Sequence, residues 1–110
     1  MAEQRKHERT LINRSIVYVG MNHLGQVEVQ GVGRALDLSS NGMMFETTDP
    51  IYVEKLSIRT STDEGKNLEV GAQLIYTMPH SPGVYRTGIQ FTGGAEKIAL
   101  FVSEMRNQLE

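Results

Sequence analysis

Arg5 and Arg9 stand four residues apart near the start of the chain, and Asp37-Leu38-Ser39-Ser40-Asn41-Gly42 begins 28 residues after Arg9. Each residue type here brings its own chemistry. A guanidinium is a planar fork of donors that grips phosphate oxygens, or the O6/N7 edge of guanine, through two parallel bonds. A carboxylate accepts, a hydroxyl both donates and accepts, and a glycine lets backbone approach closely. Such a set suits an anionic ligand that carries guanine.

Both halves also have an ordinary structural explanation. Spacing of four is how a solvated helical face displays charge, with Lys6 and Glu8 alongside. Asp and Ser cap turns through side-chain bonds to backbone amides, and Asn-Gly is a favoured turn pair. A strand-turn-strand junction would therefore select the same residues. Found together in this order and at this interval, the two motifs are far rarer by chance than either alone.

The elements that must position them follow from patterning. A chain of 110 residues, 39% hydrophobic and 22% charged, is a single folded domain with one modest core. Residues 15–92 alternate apolar and polar, or run continuously apolar, between turn signals. Strands are expected at Ser15–Val19, Gln26–Asp37, Met43–Glu46, Val53–Arg59, Leu68–Met78 and Val84–Phe91. Gly31 and Gly33 suggest a bend or bulge in the second. Asn22–Gly25, Thr62–Asn67 and Pro79–Gly83 read as hairpin loops, and Asp49-Pro50 as a break. Near the end the period changes: Ile98, Val102, Met105 and Leu109 recur at helical steps after Gly93-Gly94, with Phe101 on the flank. The expected fold is all-β with one C-terminal helix: a six-stranded antiparallel barrel over 15–92, with a helix over 94–109 on its mouth or wall.

Charge narrows the ligand. Net charge is −2, which disfavours a general nucleic-acid binder that relies on counterion release. Residues 1–14 hold Arg5, Lys6, Arg9 and Arg14 against Glu3 and Glu8, so this segment is positive and the remainder acidic. A short basic arm on an acidic body suits one compact anion better than a polymer. No apolar run approaches the roughly 18 residues of a membrane span, and the charged N-terminus lacks a secretory apolar stretch. A cytoplasmic location is the default expectation. The chain has no cysteine, which removes disulfides, thiolate metal sites and a cysteine nucleophile. His7, His23 and His80 are scattered without metal-ligand spacing. No nucleophile-base pattern or phosphate loop is present, so neither a metal site nor an enzyme is expected.

Arg5 and Arg9 as R-x-x-x-R, followed by Asp37, Ser39 and Gly42 as D-x-S-x-x-G, resemble the paired motifs of the PilZ family, which binds cyclic di-GMP. The resemblance extends over roughly residues 4–108 and includes the closing strand Gly88-Ile89-Gln90-Phe91 before the helix. It implies a PilZ-type split β-barrel with a flexible arm at residues 1–14. In that scheme Arg5 and Arg9 fold over the nucleotide and Asp37 accepts from a guanine edge. Ser39 bonds base or phosphate, and Gly42 permits the tight turn. Asn41 lies within the motif, and Lys6 either reaches a phosphate or stays solvated. Gln4 holds a position that in the family influences whether one ligand or a stacked pair binds. Tyr76 falls where many relatives carry an aromatic that stacks on guanine, or is simply a half-buried strand tyrosine.

The function so implied is a bacterial second-messenger receptor with no cofactor beyond its ligand, cyclic di-GMP. It would act in motility or biofilm signalling, in trans on an unidentified protein target, by ordering its arm. A monomer or weak homodimer is expected. The competing expectation is a ligand-free PilZ-like interaction module that docks on a motility or pilus component.

Overall fold

The computed structural model describes residues 9–107. The expected site residues Gln4, Arg5 and Lys6, and Leu109 of the helix, lie outside this range. Six strands and a helix follow in order: β1 (Thr10–Met21), β2 (Val27–Leu38), β3 (Gly42–Thr47), β4 (Lys55–Ser61), β5 (Asn67–Ser81), β6 (Val84–Thr92) and α1 (Ala95–Asn107). Every neighbouring pair is antiparallel. The spatial order is β1-β2-β3-β6-β5-β4, and β4 pairs back onto β1, so the strands form a closed ring.

Alternation explains the interior. Met43 and Phe45 of β3, Leu56 and Ile58 of β4, Leu68, Val70 and Ala72 of β5, and Ile89 and Phe91 of β6 are all buried, each two residues from the next as period-two pleating requires. Ile16 and Tyr18 of β1 and Ala35 of β2 complete the set, with the Tyr18 and Phe45 rings 6.0 Å apart. Burial raises the Tyr18 pKa above its usual value, and the Asp49 carboxylate adds to the effect. Helix α1 contributes Phe101, Val102 and Met105 to the same cluster, and Phe101 meets Phe91 edge-on at 5.6 Å. Phe101, expected on the flank, is therefore a core contact.

Several boundaries differ from those expected. Strand β1 begins at Thr10 rather than Ser15, so residues 10–14 belong to the ring and not to an arm. The irregular pairing between Leu11 and Arg14 breaks the alternation that marks a strand. Strand β4 starts at Lys55, because Ile51 and Val53 pack against the core from an irregular segment instead. Strand β5 continues to Ser81, which pairs with Val84, leaving a tight turn at Pro82-Gly83 with Gly83 at φ 76°. Pro79 fits inside β5 because β4 pairs only as far as Gln73, so no partner on that side needs its missing N–H. In β2 the register is unbroken through Gly31 and Gly33. Its irregularities fall at Glu28 and Leu36.

Phe45 is fully buried at the centre of this cluster. Phe45→Ala is expected to cost about 3–5 kcal/mol of stability, read as a lowered urea midpoint with unchanged slope.

Candidate functional site

Two bulges decide which side chains share the outer surface. Along β2, Ala35 pairs with Phe45 and faces inward, so strict alternation would bury Asp37 as well. An extra residue, Leu36, enters between the Ala35↔Phe45 and Asp37↔Met44 pairs. A bulge of this kind turns the following side chain to the other face, so Asp37 points outward and Leu38 takes the buried position. The same device operates in β5. Ile75 is inserted between Leu74↔Ile89 and Tyr76↔Gly88, and Tyr76 emerges 40% exposed.

The bulges bring Asp37 and Tyr76 into a single cross-strand row. Asp37 pairs with Met44, Met44 with Gly88, and Gly88 with Tyr76, while Leu11 flanks Asp37 on β1. Three strand spacings separate Asp37 from Tyr76, about 14 Å along the surface. The Tyr76 ring lies on Gly88, where a Cβ would overlap its atoms. Sequence reasoning missed Met44, Gly88 and Leu11 as members of this row, since the two inserted residues hide the register.

Arg9 reaches this row directly. Its Nη1 donates to Asp37 Oδ1 at 2.6 Å, with the Arg9 side chain 49% exposed and that of Asp37 16%. The guanidinium is half exposed and the carboxylate largely covered, so solvent screens the pair only in part. Among the described residues it engages one carboxylate oxygen and one guanidinium nitrogen. The two sequence motifs thus meet through one exchangeable ion pair.

The rest of D-x-S-x-x-G builds the β2–β3 turn. Ser39 N–H donates to the Gly42 carbonyl at 2.9 Å. The Ser39 hydroxyl is buried and donates to Asn41 Oδ1 at 3.0 Å. The Asn41 carbonyl in turn accepts from Phe91 N–H of β6 at 2.8 Å. Gly42 does not have a positive φ. It is required by proximity, since a Cβ there would overlap the Ile89 carbonyl oxygen on β6. The turn role of Ser39, Asn41 and Gly42, which the residue types also allowed, is the one this arrangement displays.

One outer row further along, Arg34, Glu46, Arg86 and Met78 pair in register, and Arg86 Nε donates to Glu46 Oε2 at 2.9 Å. The described residues contain no group of three or more His, Cys, Asp or Glu able to hold a metal ion. No helix among them is long and apolar enough to cross a membrane.

A family model described as the PilZ domain matches residues 3–102. The chain belongs to the PilZ domain family. No curated protein matches it. Among solved structures, the Bacillus subtilis inhibitor of motility MotI/DgrA superimposes with a TM-score of 0.66 at 14% identity, covering 98% of this chain and 53% of that one. The K. pneumonia MrkH–c-di-GMP complex gives 0.67 at 11% identity, with coverage of 98% and 53%. A second MrkH structure, described as a c-di-GMP-dependent transcription regulatory factor, gives 0.58 at 12% identity, with coverage of 96% and 52%. At these identities the likeness establishes a shared fold. The chain spans about half the length of each of these proteins.

Because Gly42 lies against β6 backbone that cannot yield cheaply, Gly42→Ala is expected to destabilise the domain by about 1–3 kcal/mol. Asn41→Ala, which removes one turn bond, is expected to cost only about 1 kcal/mol. Thermal denaturation of the two variants side by side checks the order.

Proposed function

We propose that this domain is a cyclic di-GMP receptor whose ligand lies along the outer row from Asp37 toward Tyr76. The observation that carries this reading is the 2.6 Å pair between Arg9 and Asp37. It joins R-x-x-x-R to D-x-S-x-x-G on the outer face of the ring, through one guanidinium nitrogen and one carboxylate oxygen. Membership of the PilZ domain family and the fold shared with the MrkH–c-di-GMP complex support it.

On binding, Arg9 turns part of its fork from Asp37 to phosphate or to the guanine O6/N7 edge, and Arg5, four residues earlier in sequence, adds a second fork. Asp37 accepts from the N–H groups of guanine through its free oxygen. Tyr76 offers an aromatic face at the far end of the row for a second base. Gly42 and the buried Ser39 hydroxyl hold the turn that fixes Asp37, and Ser39 bonds ligand only by exchanging its bond to Asn41. Asn41 lies in the turn beside this path, and Gln4 and Lys6 flank Arg5 in sequence. The domain acts by binding and not by catalysis. Ordering of the segment that carries Arg5 and Arg9 creates a surface that a cytoplasmic protein target recognises in trans. Control of motility, as in the protein described as an inhibitor of motility, is one output of that kind.

Calorimetric titration with cyclic di-GMP is expected to give saturable binding, with little heat from linear GMP. Arg9→Ala should weaken binding at least about thirty-fold, the loss of about 2 kcal/mol or more that follows when one member of a hydrogen-bonded charge pair is cut. The half-exposed Arg9 side chain takes no part in the buried core, so this variant stays folded. Absence of heat in the unaltered protein would replace the receptor by a ligand-free docking module.

A further inference from the structure

A second cationic site lies where the ring opens. Strands β1 and β4 pair from Met21↔Lys55 to Val17↔Arg59 and then part. Side chains bridge the gap: Thr60 Oγ1 donates to the Ser15 carbonyl at 3.0 Å, and Arg14 Nη2 donates to the Ser61 carbonyl. Between them is a cavity of about 330 Å³ lined by Asn13, Arg14, Ser15, Arg34, Thr60 and Ser61.

Its two guanidiniums are short of anions. Arg9, Arg59, Lys66 and Arg86 each have a carboxylate within 4.0 Å, whereas Arg14 and Arg34 have none among the described residues. Arg34 Nη1 donates to Asn13 Oδ1 at 2.7 Å, a neutral acceptor. Glu46 faces Arg34 in the β2–β3 register, but its carboxylate accepts from Arg86. Arg14 Nε is buried without a hydrogen-bond partner among the described residues. A guanidinium nitrogen removed from water in this way favours any anion that can reach it.

We propose that the cleft between β1 and β4 is an anion site for a phosphate dianion, either free or as the phosphomonoester of a small molecule. Arg14 springs from the inner face, opposite Ala35, and Arg34 from the outer face, opposite Ser15, and both line the cleft where the ladder stops, so a tetrahedral anion there is met by a fork from each side. The cavity holds roughly ten water volumes, so an ester group fits beside the phosphate. The site is separate from the Asp37 row and does not rest on the dinucleotide reading.

The test is an NMR titration of the full chain in phosphate-free buffer, first with inorganic phosphate and then with glycerol phosphate, each to about 10 mM. Saturable shifts are expected for the amides of Arg14, Ser15, Arg34 and Ser61 and for the Arg14 Nε–H signal. Arg34→Gln, at an exposed position, should weaken them about tenfold, while Arg9→Ala leaves them intact. Tighter binding of glycerol phosphate would identify the ester, and equal binding the free ion. Shifts that sodium chloride reproduces at equal ionic strength, that fail to saturate, or that persist in Arg34→Gln would overturn the proposal.

Discussion

The outer surface of this domain depends on two inserted residues. Leu36 in β2 and Ile75 in β5 each interrupt a strand whose alternation would otherwise send a functional side chain inward. Asp37 would then be an unpaired carboxylate among Ala35, Phe45 and Met43, at a desolvation cost no small core could offset. The bulge avoids that cost and lets Leu38 fill the interior instead. Since both bulged strands flank the β3–β6 pair, their re-aimed residues fall in one row across four strands. An outward-facing row of side chains emerges without any concave pocket being carved into the core.

The backbone around that row is held more firmly than the charges on it. Gly42 brings β3 against β6 closely enough to exclude a Cβ, and the Asn41 carbonyl ties the turn to Phe91. Ser39 is buried inside the turn rather than displayed on it. Against this fixed frame the Arg9 guanidinium is half exposed, while the Asp37 carboxylate it meets is largely covered. Such a pairing suits exchange. In the proposed binding mode Arg9 transfers from this fixed acceptor to an incoming anion without unfolding the ring.

The ring itself closes unevenly. Between β1 and β4 only the segment from Val17 to Met21 is laddered, and beyond it Arg14 and Thr60 substitute side-chain bonds for backbone ones. Helix α1 supplies Phe101, Val102 and Met105 to the core, so the barrel-like interior of a short chain is filled from outside the sheet as well as within it. The uneven closure is what leaves cationic side chains beside a cleft rather than sealed in a ladder.

Much of this was legible in the residues. The number of strands, most of their spans, the terminal helix and the Asp-Ser-Gly turn follow from periodicity, turn chemistry and motif spacing. These depend on near neighbours in sequence, where each residue's preference is visible. Pairing across strands does not. Nothing local announces that Leu36 and Ile75 are supernumerary, that β1 begins at Thr10 under cover of an irregular register, or that Gly42 serves interstrand contact and not a left-handed turn. Residue order thus determined which groups were available, while the tertiary structure decided which of them meet. The register of one strand against another is settled by burial summed over the whole ring, and one inserted residue reverses the face of everything beyond it.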